Sequence, residues 1–428
     1  MQRRGNHKQA QPIETVEAEI IEIGAKGDGV AIVNEEPVFV SYTAPGDLAV
    51  VERQGAAGRL KKLLRSGPDR AQPPCPVYGV CGGCALQHVK PSFYSDWKRD
   101  QVIAALSTAN IEVSVEPMIE LPMAARRRAQ FYVQRNGKKS VMGFHQRRSR
   151  QLVPVETCMV LHPDLDKCLP ALRDLVSAAP EDWPAFSISV TLCDNGLDIN
   201  FSSNKDLSEP DPFTLQALSQ KMKKAACIKI SISGEVLIAL KQPILQISDF
   251  SVSPPPGGFL QVSQEGQAAL IELVRTAAFD GRNVCDLFSG CGTFSLPLAE
   301  TFNVSAYDSD APAIEALKSA AGAAQAKGLR PLKTYLRNLF ERPLSADELR
   351  EFDTVIIDPP RAGAIHQARE IARSTVNRVI SVSCNPKTFA RDARILIDGG
   401  FQLKKITPVD QFIYSSHVEL VGLFQKEK

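Results

Sequence analysis

Two residues that end apolar runs could share one piece of chemistry. The stretch Val379-Ile-Ser-Val-Ser-Cys384-Asn385-Pro386-Lys-Thr388 is β-branched and apolar until it stops at a thiol followed by Asn-Pro. A buried strand of this kind brings Cys384 to the rim of a sheet, where open α/β sheets carry their reactive groups. Upstream, Asp353-Thr-Val-Ile-Ile-Asp358-Pro359-Pro360-Arg361 repeats the design with a carboxylate at the mouth. Neighbouring strands would thus present a nucleophile and an acid to one crevice. A thiol adds to carbon only as the thiolate, so an electropositive or hydrogen-bonding mouth is expected around Cys384.

A ligand site is legible just before this pair. Asn283-Val-Cys-Asp286-Leu-Phe288-Ser-Gly290-Cys-Gly292-Thr293-Phe reads as a strand, a Gly-x-Gly turn and a helix start. Glycines let backbone approach a ligand, and the free N–H groups of a helix start suit a polar or anionic group. Eighteen positions after Gly290, the strand Val304-Ser-Ala-Tyr307-Asp308 ends in an acid able to accept from ribose hydroxyls. The third glycine of the dinucleotide fingerprint is replaced by Ser295, which favours S-adenosylmethionine over NAD.

Ten cysteines without a secretory signal argue for reduced thiols, metal ligands or catalysis rather than a disulfide scaffold. Cys75, Cys81 and Cys84 form a Cys-x5-Cys-x2-Cys run loosened by Gly82 and Gly83, and Cys158 is the candidate fourth ligand. Four thiolates suit zinc or an iron-sulfur cluster. Cys168, Cys193 and Cys227 read as core filler, and Cys285 and Cys291 as packing thiols in the cofactor turn.

The elements that must position these groups span 428 residues, enough for two or three domains. Residues 1 to about 12 are a polar, basic arm. Short alternating strands with glycine turns over 13–65 suggest a small β-barrel resembling a TRAM domain, carried by Gly24 to Gly29 and Thr43-Ala-Pro-Gly-Asp47-Leu-Ala-Val-Val. A central α+β domain covers 66–255, with an amphipathic helix near 91–107. Ser251-Val-Ser-Pro-Pro-Pro-Gly-Gly258 is the linker to an α/β domain over 256–428. The totals, 50 Lys+Arg against 48 Asp+Glu, are neutral. The window from Arg126 to Arg150 is not: Arg126, Arg127, Arg128, Arg135, Lys138, Lys139, Arg147, Arg148 and Arg150 stand there with no acid. Phe131, Tyr132, Phe144 and His145 are interleaved, a pattern that fits tracking of phosphates and stacking of bases. No apolar run is long enough to span a bilayer, so a cytoplasmic chain with no membrane contact is expected.

In the order of its parts the chain resembles the class I, S-adenosylmethionine-dependent RNA uracil-C5 methyltransferases, specifically the TRAM-bearing, iron-sulfur branch acting on 23S rRNA. The likeness runs over nearly the whole chain. It rests on Cys75, Cys81, Cys84 and Cys158, Phe259-x-Gln261, Asp286-Leu-Phe-Ser-Gly-Cys-Gly, Asp358-Pro-Pro-Arg361, Ser383-Cys384-Asn385-Pro386 and His417-Val-Glu419. The resemblance implies a C-terminal Rossmann-like methyltransferase domain, an N-terminal OB-like TRAM barrel and a central α+β RNA-binding domain. It implies Cys384 as nucleophile and Glu419 as base, with Gln261, Phe288, Thr293, Asp308, Asn338 and Asp358 around S-adenosylmethionine. It also implies a [4Fe-4S] cluster on Cys75, Cys81, Cys84 and Cys158, and a monomer whose partner is RNA, 23S rRNA ahead of tRNA. The rival class is an RNA-binding or assembly protein that keeps the fold without turnover. Thr293 and Ser263 both stand where the family commonly has Asn.

Overall fold

The computed structural model describes residues 12–136, 139–278, 281–325 and 328–426. The N-terminal arm up to residue 11 and Lys138 of the basic window lie outside them. The chain forms two compact units, one of residues 1–98 with 414–416, the other of 99–413 with 417–428.

The first unit is β-rich. Six strands between residues 14 and 65 form one sheet, antiparallel except where Phe39 and Val40 pair in parallel with Ala57 and Gly58. Alternation sets its core: Val38 and Val40 are buried while Phe39 between them is exposed. Asp47 is fully buried and fully used, accepting from the N–H of Ala44 (2.7 Å) and Gly67 (2.8 Å) and pairing with Arg70 at 2.5 Å. The Thr43–Asp47 corner is thereby fixed by charge-assisted hydrogen bonds.

The second unit contains two seven-stranded sheets. In the first, Arg128–Asn136 pairs with Lys139–His145 and with Ala185–Cys193. One face carries Phe131, Val133, Ile188, Val190, Ile199 and Phe201 against the helices Leu169–Ser177 and Pro212–Lys224. The basic window therefore splits by face. Phe131 is fully buried and stacks on Phe144 at 5.0 Å in this core, whereas Tyr132 is exposed and packs on His145 at 4.0 Å. Phe131 is thus withdrawn from any partner, while Tyr132 is exposed and Phe144 and His145 are half-buried.

The second sheet carries the chemistry. Its elements are α1 (Gln264–Ala277), β1 (Asn283–Leu287), β2 (Asn303–Asp308), α2 (Ala311–Gln325), β3 (Leu332–Leu336), β4 (Thr354–Ile357), α3 (Ile365–Arg373), β5 (Arg378–Ser383), α4 (Pro386–Asp398), β6 (Phe401–Val409) and β7 (Glu419–Lys426). The strand order is β3-β2-β1-β4-β5-β7-β6, with the first five parallel and β7 antiparallel to both neighbours. Strands covered on both faces read as continuous apolar runs, and every residue of Thr354–Ile357 is buried. Val284, Ile356, Ile380 and Val421 face one core; Cys285, Val355, Val379 and Leu420 face the other. Each fully buried aliphatic side chain contributes roughly 1.5–3 kcal/mol, which offsets the cost of the acid Asp286 inside β1. Among the described residues no helix is long and apolar enough to cross a membrane.

Candidate active site

The carboxyl ends of β4 and β5 bring Asp358 and Cys384 to the same rim: Ile357 pairs with Ser381, which sets Asp358 level with Val382, two residues before the thiol. β7 runs the other way, so its first residue arrives at the same rim. Ser381, Val382 and Ser383 pair with Gly422, Val421 and Leu420. Continued by one residue, this register sets Cys384 opposite Glu419.

All three groups are pushed toward their neutral forms. Glu419 is buried, and its carboxyl lies well above the usual range because of desolvation first and the charge of Asp358 second. Asp358 is raised to about 7 by desolvation, then by Asp286 and Asp308. Cys384 is half-buried and raised to about 11 by burial, then by Glu419 and Asp358, with Arg361 acting against them. Burial above all, then the two acids, favours the protonated thiol, and Arg361 and a backbone hydrogen bond act in the opposite direction. Arg361 is well anchored, its carbonyl accepting from Asn385 Nδ2 (3.0 Å) and Thr388 Oγ1 (3.2 Å), its Nη2 2.8 Å from His417 Nδ1. The Asp358-Pro-Pro-Arg361 loop is therefore tied to the residue following the thiol.

The turn after β1 is strained and braced. Phe288 has φ +64°, a left-handed conformation unusual for an aromatic residue. Its N–H donates to Tyr307 (2.9 Å), and its ring lies 5.3 Å from that of Phe340. Gly292, at φ +91°, could not be replaced freely, because a Cβ there would sit 2.3 Å from Leu317 Cδ1 of α2. Asp308 accepts from Gly290 N–H and from Asp310 N–H, both at 2.8 Å, so one carboxylate holds the turn and the start of the next loop. Thr293 is half-buried in the turn, and exposed Asn338 accepts from Phe340 N–H at 3.1 Å. A cleft of about 210 Å³ opens beside them, lined by Leu339, Phe340 and residues 362–367.

Gln261 is buried; its carbonyl accepts from Arg127 Nε (3.2 Å) and its Oε1 from Gln411 Nε2 (2.9 Å). Ser263 caps α1, accepting from Gly266 N–H at 3.0 Å. Asp286 was read from the sequence as part of the glycine-turn motif, without a role of its own. It is fully buried, takes a 2.5 Å hydrogen bond from Ser295 Oγ and is raised to about 7 by desolvation. The signal was an acid inside an otherwise apolar strand.

Of the cluster candidates, Cys75, Cys81 and Cys84 belong to the first unit and Cys158 to the second. The three in one loop are half-buried thiols, a soft donor set; Gly83 N–H donates to Cys81 Sγ at 3.4 Å, and burial raises that thiol. Among the described residues no three His, Cys, Asp or Glu side chains gather closely enough to share a metal ion. Cys193, Cys227 and Cys291 are buried and raised to about 12, so they are inert packing thiols.

A parallel sheet with a reversed seventh strand, a glycine turn braced by the acid ending β2, and reactive groups at the carboxyl ends define a class I methyltransferase fold. The tRNA (Uracil-5-)-methyltransferase family matches residues 337–428. An RNA methyltransferase of Caulobacter vibrioides is 41% identical over 413 residues, covering 94% of this chain and 98% of that protein. A 23S rRNA (uracil(1939)-C(5))-methyltransferase of Vibrio parahaemolyticus is 29% identical over 413 residues, 94% of this chain and 93% of its own. Among solved structures, the Pyrococcus abyssi tRNA (uracil-54, C5)-methyltransferase with S-adenosyl-L-homocysteine superposes with TM-score 0.73 at 24% identity, covering 96% of this chain and 100% of that one. The chain belongs to the RNA methyltransferase family of these relatives, and its residues 337–428 carry the tRNA (Uracil-5-)-methyltransferase match. It is an RNA methyltransferase.

Proposed function

We propose that the enzyme methylates carbon 5 of one uridine in RNA, 23S rRNA ahead of tRNA, through a covalent bond between Cys384 and carbon 6 of the ring. The observation that carries this reading is the convergence of Cys384, Asp358 and Glu419 where β4, β5 and β7 meet. S-adenosylmethionine supplies an electrophilic methyl group. Carbon 5 of uracil is too weak a nucleophile to take it unaided. Cys384 gives its proton to an ionised member of the Asp358–Glu419 pair and bonds to carbon 6, and the displaced π electrons pass to the carbonyl at carbon 4 as an enolate. Carbon 5 then takes the methyl group as the bond from methyl to sulfonium sulfur breaks. Glu419, ionised, removes the proton from carbon 5; the ring double bond reforms and the thiolate leaves.

Gln261, Phe288, Thr293, Asp308, Asn338 and Asp358 are assigned to the cofactor. The bonding of Asp308 supports this, since Oδ2 spends one lone pair on the turn and Oδ1 one on the loop after β2, leaving each another for a hydroxyl. A [4Fe-4S] cluster is assigned to Cys75, Cys81, Cys84 and Cys158 on the density of three soft donors within ten residues, with Cys158 as the fourth by resemblance, and no step of the reaction passes through it. The target base must leave its stack to reach Cys384. Flanking RNA is assigned to the TRAM-like 13–65 module and to the face bearing Tyr132 and His145, with 66–255 as RNA-binding domain and 256–428 as catalytic domain.

The preference for ribosomal RNA rests on the full-length similarity to a 23S rRNA enzyme. The test is incubation with radiolabelled S-adenosylmethionine and 23S or tRNA transcripts, followed by nucleoside analysis. Label in 5-methyluridine supports the reading; label on cytosine or adenine removes it. RNA binding without any transfer, unaffected by Cys384→Ala, would favour the assembly protein.

A further inference from the structure

Gln411 stands two residues past Val409, the cross-strand partner of Glu419, and so lies at the reacting end of the sheet. The residue is buried, with a relative exposure of 4%. Nε2 donates to Gln261 Oε1 at 2.9 Å, while Oε1 has no hydrogen-bond partner among the described residues. Leaving a buried amide oxygen unsatisfied costs roughly 1–3 kcal/mol, so the arrangement needs a reason. The space for it is built in. A Cβ on Gly266 in the first turn of α1 would come within 2.7 Å of Gln411 Oε1 and 2.9 Å of Ser263 Oγ. Gln261 is held from its other end as well, because Arg127 grips its carbonyl and also donates to Gln267 Oε1 at 2.8 Å.

A glutamine amide offers one acceptor and one two-hydrogen donor. With its acceptor occupied by Gln411, Gln261 can turn only its NH2 toward an incoming molecule. We infer that Gln411 is a positioning residue that fixes the flip of the Gln261 amide, so that Gln261 meets an acceptor oxygen of the reacting molecules. That oxygen is either the carboxylate of the cofactor's methionyl group or a carbonyl of the target base. The inference rests on the reading that Gln261 faces the site.

Three variants of the full-length protein test it, each checked for folding by thermal melting. Gln411→Met keeps the length but frees the Gln261 amide, and kcat/KM should fall by only about threefold. Gln411→Glu, ionised, accepts instead of donating and forces Gln261 to present its oxygen; a loss of roughly tenfold or more is expected. A protonated Glu can still donate to Gln261, so this loss should deepen between about pH 6.5 and 9, a slope that Gln411→Met lacks. A rise confined to the KM for S-adenosylmethionine locates the acceptor on the cofactor, and a change in kcat or in the KM for RNA locates it on the base; both support the inference. Equal losses in the two Gln411 variants with no pH slope, or wild-type behaviour of Gln411→Glu, would overturn it. Gln261→Glu separates the two layers: if it too behaves as wild type, Gln261 does not face the site and the underlying reading fails instead.

Discussion

Cys384 and Glu419 stand opposite one another where the antiparallel pairing of β5 and β7 runs out, a thiol raised to about 11 facing a carboxyl raised well above its usual range. Burial favours the neutral form of both, and an ionised carboxyl beside the thiol is the acceptor its proton needs, which couples nucleophile and base.

Removing either member should stop turnover at a different stage. Cys384→Ser should abolish transfer and leave cofactor binding intact. Glu419→Gln should allow addition and methylation but slow proton removal by about 10²–10⁴-fold, so that an RNA–protein adduct accumulates. Denaturing electrophoresis with labelled RNA reads both outcomes.

The pH dependence of rate and of stability should run in opposite directions. Asp358, with a folded pKa of about 7, ionises as pH rises through neutrality, and transfer should accelerate over that range. Asp286 is likewise raised to about 7, so between its unfolded pKa of about 4 and that value the folded state holds a proton the unfolded state has lost. By linkage, the stability from this group is present below about pH 4 and lost as pH climbs to about 7, a change on the order of a few kcal/mol. Asp286→Asn should flatten that part of the stability profile in denaturant titrations at several pH values.

Asp308→Ala leaves Gly290 N–H and Asp310 N–H without their acceptor and removes the proposed hydroxyl contact. Affinity for S-adenosylmethionine should fall by roughly 10–100-fold, measured by calorimetry, with RNA binding little changed.

RNA affinity should separate exposed from buried arginines. Arg148→Ala and Arg150→Ala, at exposed positions, should weaken binding and each lower the salt slope by about 1. Arg127→Ala should instead lower stability by roughly 1–3 kcal/mol, because its partners Gln261 and Gln267 are inside the protein.

Anaerobically purified protein should carry roughly four iron atoms and four sulfides per chain, and Cys81→Ser should lose them. Stoichiometric zinc without sulfide would replace the cluster by a zinc centre.

Much of the site was readable because strand ends announce themselves. Cys384 and Asp358 each terminate a continuous apolar run, and both stand at the carboxyl ends of their strands. The basic window was harder, since charge and aromatic content do not say which sheet face a residue takes. Alternation sends Phe131 inward and Tyr132 outward, and Arg127 and Arg128 turn to the carbonyls of Gln261 and Leu260. Ser263 is a helix cap, a local role that explains the residue without a ligand. Gln411 carries no sequence signal, because its importance comes from a partner 150 residues away.

The proposed mechanism requires a sulfur–carbon bond to the target ring. RNA carrying 5-fluorouridine at the target position, incubated with enzyme and S-adenosylmethionine, should give a denaturation-resistant adduct, because fluorine cannot leave as a proton does. Peptide mapping should place the bond on Cys384, and Cys384→Ser should form none. Tight RNA binding with cofactor present but no adduct, or an adduct at another residue, would contradict the mechanism.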